Sequence, residues 1–393
     1  MEELKTYRLA DICNSIQTGP FGSQLHKSDY VEFGTPIVMP KDITNGKIND
    51  NNISRISKND VAKLFKHKLV PGNIIYPRRG DISKCALITS KEDGWVCGTG
   101  CIKVDINQQI ANSTYVMYVL CQSETVNWIE SNAVGTTMLN LNTSILSDLP
   151  IKLPSLNTQK KLANIVSSFD NKIALNRRIN DNLEQQAQAL FAEVFESDHT
   201  FTQLGAVIET CSGGTPSRNN LDYYIDGTIC WVKSKELNRS FLFDTEEKIA
   251  QVGIDRSSAK LLPKNSVLIA MYGATVGEYC IIDKPMTCNQ AICALLPSSD
   301  YPASYLYMFI KQKRNELINL AVGSAQQNIS QVLIKGLSVS ANLKLIAKFD
   351  KMVMPIFNMI RKNVKESIIL EAERNTLLPR LMSGELKIND LNC

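Results

Sequence analysis

The sequence predicts a mixed α/β protein in which two similar globular domains are separated by two long antiparallel helices, forming an internal pseudo-twofold repeat. Three observations predict this fold class. Residues 153–195 and 343–370 carry apolar residues spaced by threes and fours, as on one face of a helix. Short motifs that precede the first stretch recur before the second. The length of 393 residues also suits two or three domains.

The first long helix is predicted from an apolar pattern that only Asn176 interrupts. Pro154 with Ser155 or Asn157 supplies a start and a cap. The apolar positions are Leu162, Val166, Phe169, Ile173, Ile179, Leu183, Ala187, Leu190 and Val194. About ten turns exceed an ordinary globular helix, so we expect it to pack against a partner helix. Packing on the sheet of one domain is the alternative.

The second stretch supplies the partner helix. Its apolar positions are Ile346, Phe349, Val353, Ile356, Ile360, Val364 and Ile368. Phe169-Asp170 matches Phe349-Asp350, which predicts that these two dipeptides occupy equivalent places in the two copies. Pro355 lies inside the second copy, where its missing N–H and its ring predict a kink. A pseudo-twofold axis between the copies makes the two helices antiparallel.

The globular parts repeat in the same order. The matched segments are residues 69–75 and 261–268, 115–120 and 305–310, and 135–140 and 323–328. After the first of these segments each copy reaches a glycine, Gly80 or Gly273, at the end of a buried strand. The predicted boundaries are 1–152 for the first domain, 153–199 for the central helical region, 200–338 for the second domain and 339–393 for the distal helical region.

The composition limits the possible classes of protein. Hydrophobic residues make up 44% of the chain, which is enough for more than one core. No apolar run approaches the roughly 18 residues of a membrane span, and the first residues do not resemble a signal peptide, so we expect a cytoplasmic protein. The 11 cysteines form no paired framework and the three histidines are far apart, so neither disulfides nor a metal site is expected. The net charge of +4 permits nucleic-acid binding without demanding it.

No catalytic constellation stands out in the sequence. The Asn-Pro-Pro-Tyr loop of amino methylation is absent, and residues 98–100 (Gly-Thr-Gly) lack the third glycine of a dinucleotide loop. Glu246-Glu247-Lys248 could belong to a nuclease Glu-x-Lys element, but such triplets are common on solvated surfaces. We therefore predict no catalytic residue.

The remaining polar residues suit DNA. Phosphates are contacted by Lys, Arg and backbone N–H groups, whereas base edges are contacted by Arg, Lys, Asn, Gln, Ser and Thr. The best candidates lie in loops that occupy matched places in the two copies but carry different residue types. They are Gln17, Thr18, Lys41, Arg78, Arg79 and Lys84 in the first domain, and Thr215, Ser217, Arg218, Lys233, Lys235, Tyr272, Gln326 and Gln327 in the second. For each residue taken singly, ordinary solvated surface is the competing interpretation.

Arg78-Arg79 is the strongest pair among these candidates. Two arginines beside a glycine at a strand end could clamp a phosphate or contact a guanine edge. The corresponding pair in the second copy, Met271-Tyr272, is not basic. This difference predicts two domains that read different sequences.

The chain resembles the specificity subunit of a type I restriction-modification enzyme over essentially its whole length. The segments that carry the resemblance are Leu153-Pro154 followed by Gln159, Lys160, Leu162 and Ala163; residues 213–217 (Gly-Gly-Thr-Pro-Ser); Gly323 with Gln326; and residues 377–386 (Leu-Leu-Pro-Arg-Leu-Met-Ser-Gly-Glu-Leu). One departure is Asn342-Leu343-Lys344 before the second helix, where the family often has proline and Glu-Gln.

This resemblance implies that each domain reads one half of a bipartite target in double-stranded DNA, while the helices act as spacer and docking site. It implies a subunit that is not itself an enzyme. Two modification subunits would carry S-adenosylmethionine and methylate adenine, and restriction subunits would use ATP and magnesium for translocation and cleavage, so no cofactor is expected on this chain. Two alternatives stay open: a stand-alone bivalent DNA-binding regulator, and a scaffold that binds peptides rather than DNA.

Overall fold

The computed structural model describes residues 4–44, 46–135, 139–321 and 328–386. The chain divides into two compact units, one formed by Met1–Asn171 with Ala372–Cys393 and the other by Lys172–Glu371. Each unit contains one α/β domain and a part of each long helix. Within the described residues, every helix is too short or too polar to span a membrane.

The first unit contains three small sheets. Its elements are β1 (Lys5–Arg8), β2 (Cys13–Thr18), β3 (Tyr30–Val31), β4 (Thr35–Val38), β5 (Arg55–Ile56), α1 (Lys58–Lys63), β6 (Asn73–Pro77), β7 (Ala86–Leu87), β8 (Val96–Cys97), β9 (Cys101–Ile106), α2 (Ser113–Leu120), α3 (Ser123–Asn132), α4 (Thr143–Ser147), β10 (Pro150–Leu153) and the start of α5 (Leu156–Phe195). Strand β1 pairs with β10, and the two larger sheets have the orders β2-β9-β6-β7 and β3-β5-β4-β8. Only the β4–β8 pair is parallel among these described strands.

Strand β6 lies at the centre of the first domain, and all five of its residues are buried. Alternate side chains of a strand point to opposite faces of the sheet. Ile74 and Tyr76 therefore pack in the same cluster as Tyr115 of α2, whereas Ile75 packs with Val38 on the other face. Burial on both faces explains why this strand is an uninterrupted apolar run in the sequence.

The second unit repeats this arrangement. Its elements are the rest of α5, then β11 (Phe201–Gln203), α6 (Leu204–Val207), β12 (Thr210–Ser212), β13 (Ile229–Val232), β14 (Phe241–Leu242), β15 (Lys248–Ile249), α7 (Gln251–Asp255), β16 (Val267–Ala270), β17 (Tyr279–Ile282), β18 (Thr287–Cys288), β19 (Ile292–Leu295), α8 (Ala303–Asn319), α9 (Gln331–Lys335), β20 (Ser338–Ser340) and most of α10 (Leu343–Met382).

Strand order confirms the predicted internal repeat. The order β12-β19-β16-β17 corresponds to β2-β9-β6-β7, with β14 added at the edge. The order β15-β13-β18 corresponds to β5-β4-β8, and β13 and β18 are parallel as their counterparts are. Like β6, the central strand β16 buries alternate residues in two different clusters: Val267 and Ile269 in one, Leu268 and Ala270 in the other.

The two long helices contain 40 residues each. Helix α5 begins at Leu156 rather than at residue 153, because Leu153 ends β10 and pairs with Lys5 of β1. Ser155 precedes it, and its Oγ accepts a hydrogen bond from the backbone N–H of Thr158 at 3.4 Å. Helix α10 extends beyond the predicted residue 370 to Met382 and runs through Pro355 without an interruption.

Within the second unit the two helices are antiparallel. In the second unit, Asn176 Nδ2 donates to Glu366 Oε2 at 2.8 Å, and further along α5 the ring of Phe191 lies 5.2 Å from that of Phe349. In the first unit, Arg374 of α10 forms an ion pair with Asp170 of α5. The partner's number falls as the number along α5 rises, as an antiparallel pair requires.

The predicted equivalence of Phe169 with Phe349 in the two copies is wrong. The helices begin at Leu156 and Leu343, and this alignment places Leu162, not Phe169, at the position of Phe349. The buried positions match in the same alignment: Leu162 with Phe349, Val166 with Val353, Ile173 with Ile360, and Asn176 with Asn363. The error is one heptad. A shift of one heptad leaves the apolar face nearly unchanged, so periodicity alone cannot distinguish the two alignments.

Candidate nucleic-acid interface

Three strand ends of the first domain meet at one loop. The backbone N–H of Gly98 donates to Val38 O at the end of β4 at 2.9 Å. The N–H of Gly19, just after β2, donates to Cys101 O at 2.8 Å, and the N–H of Arg78, just after β6, donates to Gly100 O at 2.6 Å. We call residues 18–19, 38–41, 78–79 and 98–101 the first-domain edge.

Close backbone contact explains the glycines at this edge. A Cβ added at Gly19 would lie 2.0 Å from the carbonyl oxygen of Gly98, which is closer than real Cβ atoms approach. Gly80, which follows the arginine pair, has a φ of +83°, a left-handed conformation that glycine adopts without strain. Its counterpart Gly273 has a φ of +71°, so the two glycines matched from the sequence also share a conformation.

Three predicted cations lie at the first-domain edge. Arg79 is exposed, and its backbone forms an isolated β-bridge with that of Asn140. Arg78 is half-buried, and its carbonyl accepts a hydrogen bond from Leu141 N–H at 2.9 Å. Lys41 is exposed in the turn after β4, next to Pro40. None of the three cations forms an ion pair with a described residue, and Arg78 Nε is buried with no hydrogen-bond partner there. The exposed side chains of Lys41 and Arg79 are therefore available to an anionic or hydrogen-bonding ligand.

The other first-domain candidates are placed differently. Gln17 and Thr18 end strand β2 and are half-buried, and the next residue, Gly19, makes the backbone hydrogen bond at the edge. Lys84 is not brought to the first-domain edge by any contact within the described chain; it pairs with Asp81 at 2.6 Å. The charge of Lys84 is thus already compensated by a carboxylate in its own loop.

The second domain has an equivalent edge. Gly213 N–H donates to Ile292 O at 3.1 Å, Asn289 N–H to Val232 O at 2.9 Å, and Met271 N–H to Ala291 O at 2.8 Å. We call residues 212–218, 232–235, 271–272 and 289–292 the second-domain edge. Tyr272 forms an isolated β-bridge with Asn328, as Arg79 does with Asn140. The dipeptides Arg78-Arg79 and Met271-Tyr272, which were aligned from the sequence, therefore occupy equivalent places.

The predicted polar residues of the second domain gather around this edge. Thr215 is exposed and its hydroxyl hydrogen-bonds to Gln290, and Ser217 is exposed in the same loop. Tyr272 is 39% exposed. Gln326 and Gln327 lie outside the described residues.

The second-domain cations differ from those of the first because they are paired with glutamates. Arg218 pairs with Glu247 at 2.5 Å, Lys233 also pairs with Glu247, and Lys235 pairs with Glu246 at 2.6 Å. The hydrogen bond from Lys233, followed by the one from Arg218, lowers the pKa of Glu247 below its ordinary value against the effect of partial burial. The triplet considered as a nuclease element is therefore part of an ion-pair network, with Lys248 paired to Asp244 at 3.3 Å.

Sequence reasoning missed the loops that join the strand ends. Residues 98–100 carry only part of a dinucleotide-loop pattern, and residues 289–291 match no motif. The sequence offered one signal, which is a cysteine at a matched place in each copy, Cys97 and Cys288. In the structure each of them ends a short strand that pairs in parallel with the strand before a lysine-bearing turn. Trp231 and Tyr224, which pack around Arg218, were also missed.

Comparisons with known proteins identify the family of this chain. A family model described as "Type I restriction modification DNA specificity domain" matches residues 1–185 and 196–340. The chain is 24% identical to the type I restriction enzyme HindI specificity subunit of Haemophilus influenzae, with 98% of this chain and 100% of the relative covered. It is 23% identical to the type I restriction enzyme MjaIX specificity subunit of Methanocaldococcus jannaschii, with 91% and 88% covered.

Among solved structures, the chain is similar in fold to the crystal structure of a type I restriction-modification system S subunit from M. genitalium. The TM-score is 0.59 at 18% identity, and the alignment covers 97% of this chain and 96% of that chain.

Proposed function

Because the chain belongs to the family of type I restriction-modification DNA specificity domains, we propose that each of its two α/β domains reads one half of a bipartite DNA target. The chain is a specificity subunit, which binds DNA and assembles with other subunits of a type I restriction-modification system. The resemblance drawn from its sequence motifs is thereby confirmed.

The observation that carries the proposal is that the two domains have equivalent edges with different side chains. Both edges are formed by the same three strand ends and one connecting loop, so the two domains offer equivalent surfaces. The first carries Arg78 and Arg79 where the second carries Met271 and Tyr272. Since base edges are distinguished by the donors, acceptors and apolar groups presented to them, equivalent surfaces with different side chains would read different sequences.

The free cations of the first-domain edge support a role in DNA contact. Lys41, Arg78 and Arg79 make no ion pair with a described residue, so approaching phosphates would meet uncompensated charge. At the second-domain edge the glutamates compensate part of the charge, so contacts to bases would matter more there. Each edge is the DNA-binding surface that we propose for its own domain.

The two helices would set the distance between the half-sites and carry the other subunits. Two modification subunits with S-adenosylmethionine would dock mainly on the helices and methylate adenine. Restriction subunits would add translocation and cleavage with ATP and magnesium. In this arrangement the specificity subunit needs no cofactor of its own and acts in the cytoplasm, beside the host DNA. Family membership favours this function over a stand-alone regulator or a scaffold that does not bind DNA.

Methylation sequencing tests the proposal. The full chain is co-expressed with the modification subunit of its own system, and the host genome is sequenced for N6-methyladenine. We expect methylation at a two-part motif with a fixed gap. A complex that forms but methylates no such motif would contradict the recognition role, whereas the absence of a complex would favour the stand-alone regulator.

A second experiment addresses the spacer. One heptad is deleted from both helices at facing positions, because a whole heptad preserves the apolar face. We expect the same two half-sites with a changed gap between them. An unchanged gap would contradict the role of the helices as spacer while leaving the reading of the half-sites intact.

A further inference from the structure

Arg218 lies in an aromatic and acidic clamp at the second-domain edge. Its guanidinium carbon is 4.3 Å from the ring centroid of Tyr224 and 5.3 Å from that of Trp231. Its Nη2 donates to Glu247 Oε2 at 2.5 Å. Contacts with two aromatic rings and with a carboxylate restrict the orientation of the guanidinium, and hence the direction of its remaining donors.

The groups that form the clamp are themselves held in place. Trp231 is 3% exposed, and its indole N–H donates to Gly214 O at 3.0 Å. The hydroxyl of Tyr224 donates to Pro216 O at 2.5 Å. The backbone N–H of Trp231 donates to Glu247 O at 3.1 Å, which extends the pairing of β13 with β15.

The loop that carries Arg218 is anchored at its start. A Cβ at Gly213 would lie 2.1 Å from Asn289 O, and a Cβ at Gly214 would lie 2.3 Å from the carbonyl carbon of Ser258. Only glycine permits such close backbone contacts. The loop therefore leaves the strand ends along a defined path, and Arg218 is positioned before DNA arrives.

We propose that Arg218 is a specificity-determining residue that reads one guanine in the half-site of the second domain, with Tyr224, Trp231 and Glu247 as positioning residues. The inference rests on the proposed function and adds to it the identity of one base. Arg218 is 54% exposed. Its Nε, its Nη1 and the second hydrogen of Nη2 have no partner among the described residues, so Nη2 with either Nε or Nη1 can form a planar fork to the O6 and N7 acceptors of guanine.

The charge balance of the clamp favours a base over a phosphate. Arg218 and Lys233 share Glu247, so the three side chains carry a net charge of one rather than two. Partial compensation weakens attraction to a phosphate, where charge dominates, more than it weakens hydrogen bonds to neutral acceptors. A guanidinium that these contacts already hold also loses little side-chain entropy on binding a planar base edge.

The described part of the first domain has no such clamp. Strand pairing places Ile37 where the second domain has Trp231, because these residues begin the parallel pairs with β8 and β18. Ile37 N–H donates to Ser54 O as Trp231 N–H does to Glu247 O, so Ser54 stands in the place of the glutamate. The half-site of the first domain therefore serves as an internal control.

The test compares methylation motifs. Wild type, Arg218→Ala and Arg218→Lys are each co-expressed with the modification subunit, and N6-methyladenine is sequenced across the host genome. We expect both variants to lose preference for guanine at one position of one half-site by about 5- to 150-fold, with the other half-site unchanged. The lysine variant retains charge but not the planar fork, so it should recover total methylation without recovering the preference.

Controls separate this role from a structural one. Lys264→Ala removes a cation at the start of β16, opposite the second-domain edge, and should leave the motif unchanged. Co-purification with the modification subunit verifies that each variant folds. Glu247→Gln should weaken the same guanine preference, because it loosens the guanidinium.

Three outcomes would overturn the inference. An unchanged preference in Arg218→Ala would exclude base reading. A uniform loss of methylation with an unchanged motif in both variants would assign Arg218 to a phosphate. If wild type itself methylates no two-part motif, the proposed function fails and the inference fails with it.

Discussion

Asn180 and Asn363 face each other between the two long helices, and Nδ2 of Asn363 donates to Oδ1 of Asn180 at 2.9 Å. Both side chains are less than one tenth exposed. Asn180 Nδ2 in turn contacts Ile360 O at 3.4 Å. A buried amide pair between two helices stabilises one alignment of them, because any sliding would leave the amides without partners.

We expect Asn363→Ala to lower the free energy of unfolding by about 1–3 kcal/mol, since the carbonyl of Asn180 loses its donor in a buried place. Replacing both asparagines with leucine should restore part of this loss. Urea unfolding of the full chain measures the effect, with Lys365→Ala on an exposed position of the same helix as control. Equal midpoints for Asn363→Ala and Lys365→Ala would contradict the role of the pair.

The free cations at the first-domain edge predict a particular salt dependence. Arg79→Ala should weaken DNA binding by the assembled complex and reduce the slope of log affinity against log salt by about one, as expected when one phosphate contact is removed. Fluorescence anisotropy over a series of potassium chloride concentrations measures this slope.

Lys91→Ala, which removes an exposed cation paired with Asp50 at 2.9 Å, is the control for Arg79→Ala. Ile88 N–H bonds to Asn73 O at the start of β6, so the turn with Lys91 lies at the opposite end of that strand from Arg79. The Lys91 variant should keep the wild-type slope. If both variants change the slope equally, the effect is one of net charge and the first-domain edge is not the contact.

Gly19 and Gly22 provide a second matched pair. Gly19→Ala would place a Cβ 2.0 Å from Gly98 O, whereas nothing lies within 4 Å of a Cβ at Gly22. We expect Gly19→Ala to lower stability by about 1–3 kcal/mol and to abolish recognition of the first half-site, because β2 must move away from the connecting loop. Gly22→Ala should behave as wild type in melting temperature and in methylation.

Glu247 predicts a dependence on pH. Its pKa lies below the ordinary value of 4.5, with the hydrogen bond from Lys233 as the largest cause. A lowered folded pKa stabilises the protein above the unfolded pKa and loses that contribution as the pH falls through the folded pKa. The difference in melting temperature between wild type and Glu247→Gln should therefore be constant above the ordinary pKa of the carboxyl and shrink below it. A difference that grows in acid would contradict this assignment.

Several features of the site were predictable from the sequence because they depend on local chemistry. Arg78-Arg79 beside Gly80 was identified from residue types and from the end of an apolar run, and the structure places it at a strand end. The correspondence of Arg79 with Tyr272 was also predictable, since the duplicated motifs around them share spacing. Lys84 and Lys235 could not be judged in this way, because their ion pairs with Asp81 and Glu246 depend on side-chain placement.

The sequence by itself determined the class of fold, the two long helices and the duplication, because apolar periodicity reports which face of an element is buried and repeated motifs report repeated units. The tertiary structure decided which residues meet. The equivalence of Leu162 with Phe349, the loops that join three strand ends, and the clamp around Arg218 all depend on how distant segments are placed in the fold. Periodicity is unchanged by a heptad shift and is silent about strand partners, so these relationships become defined only when the chain is folded.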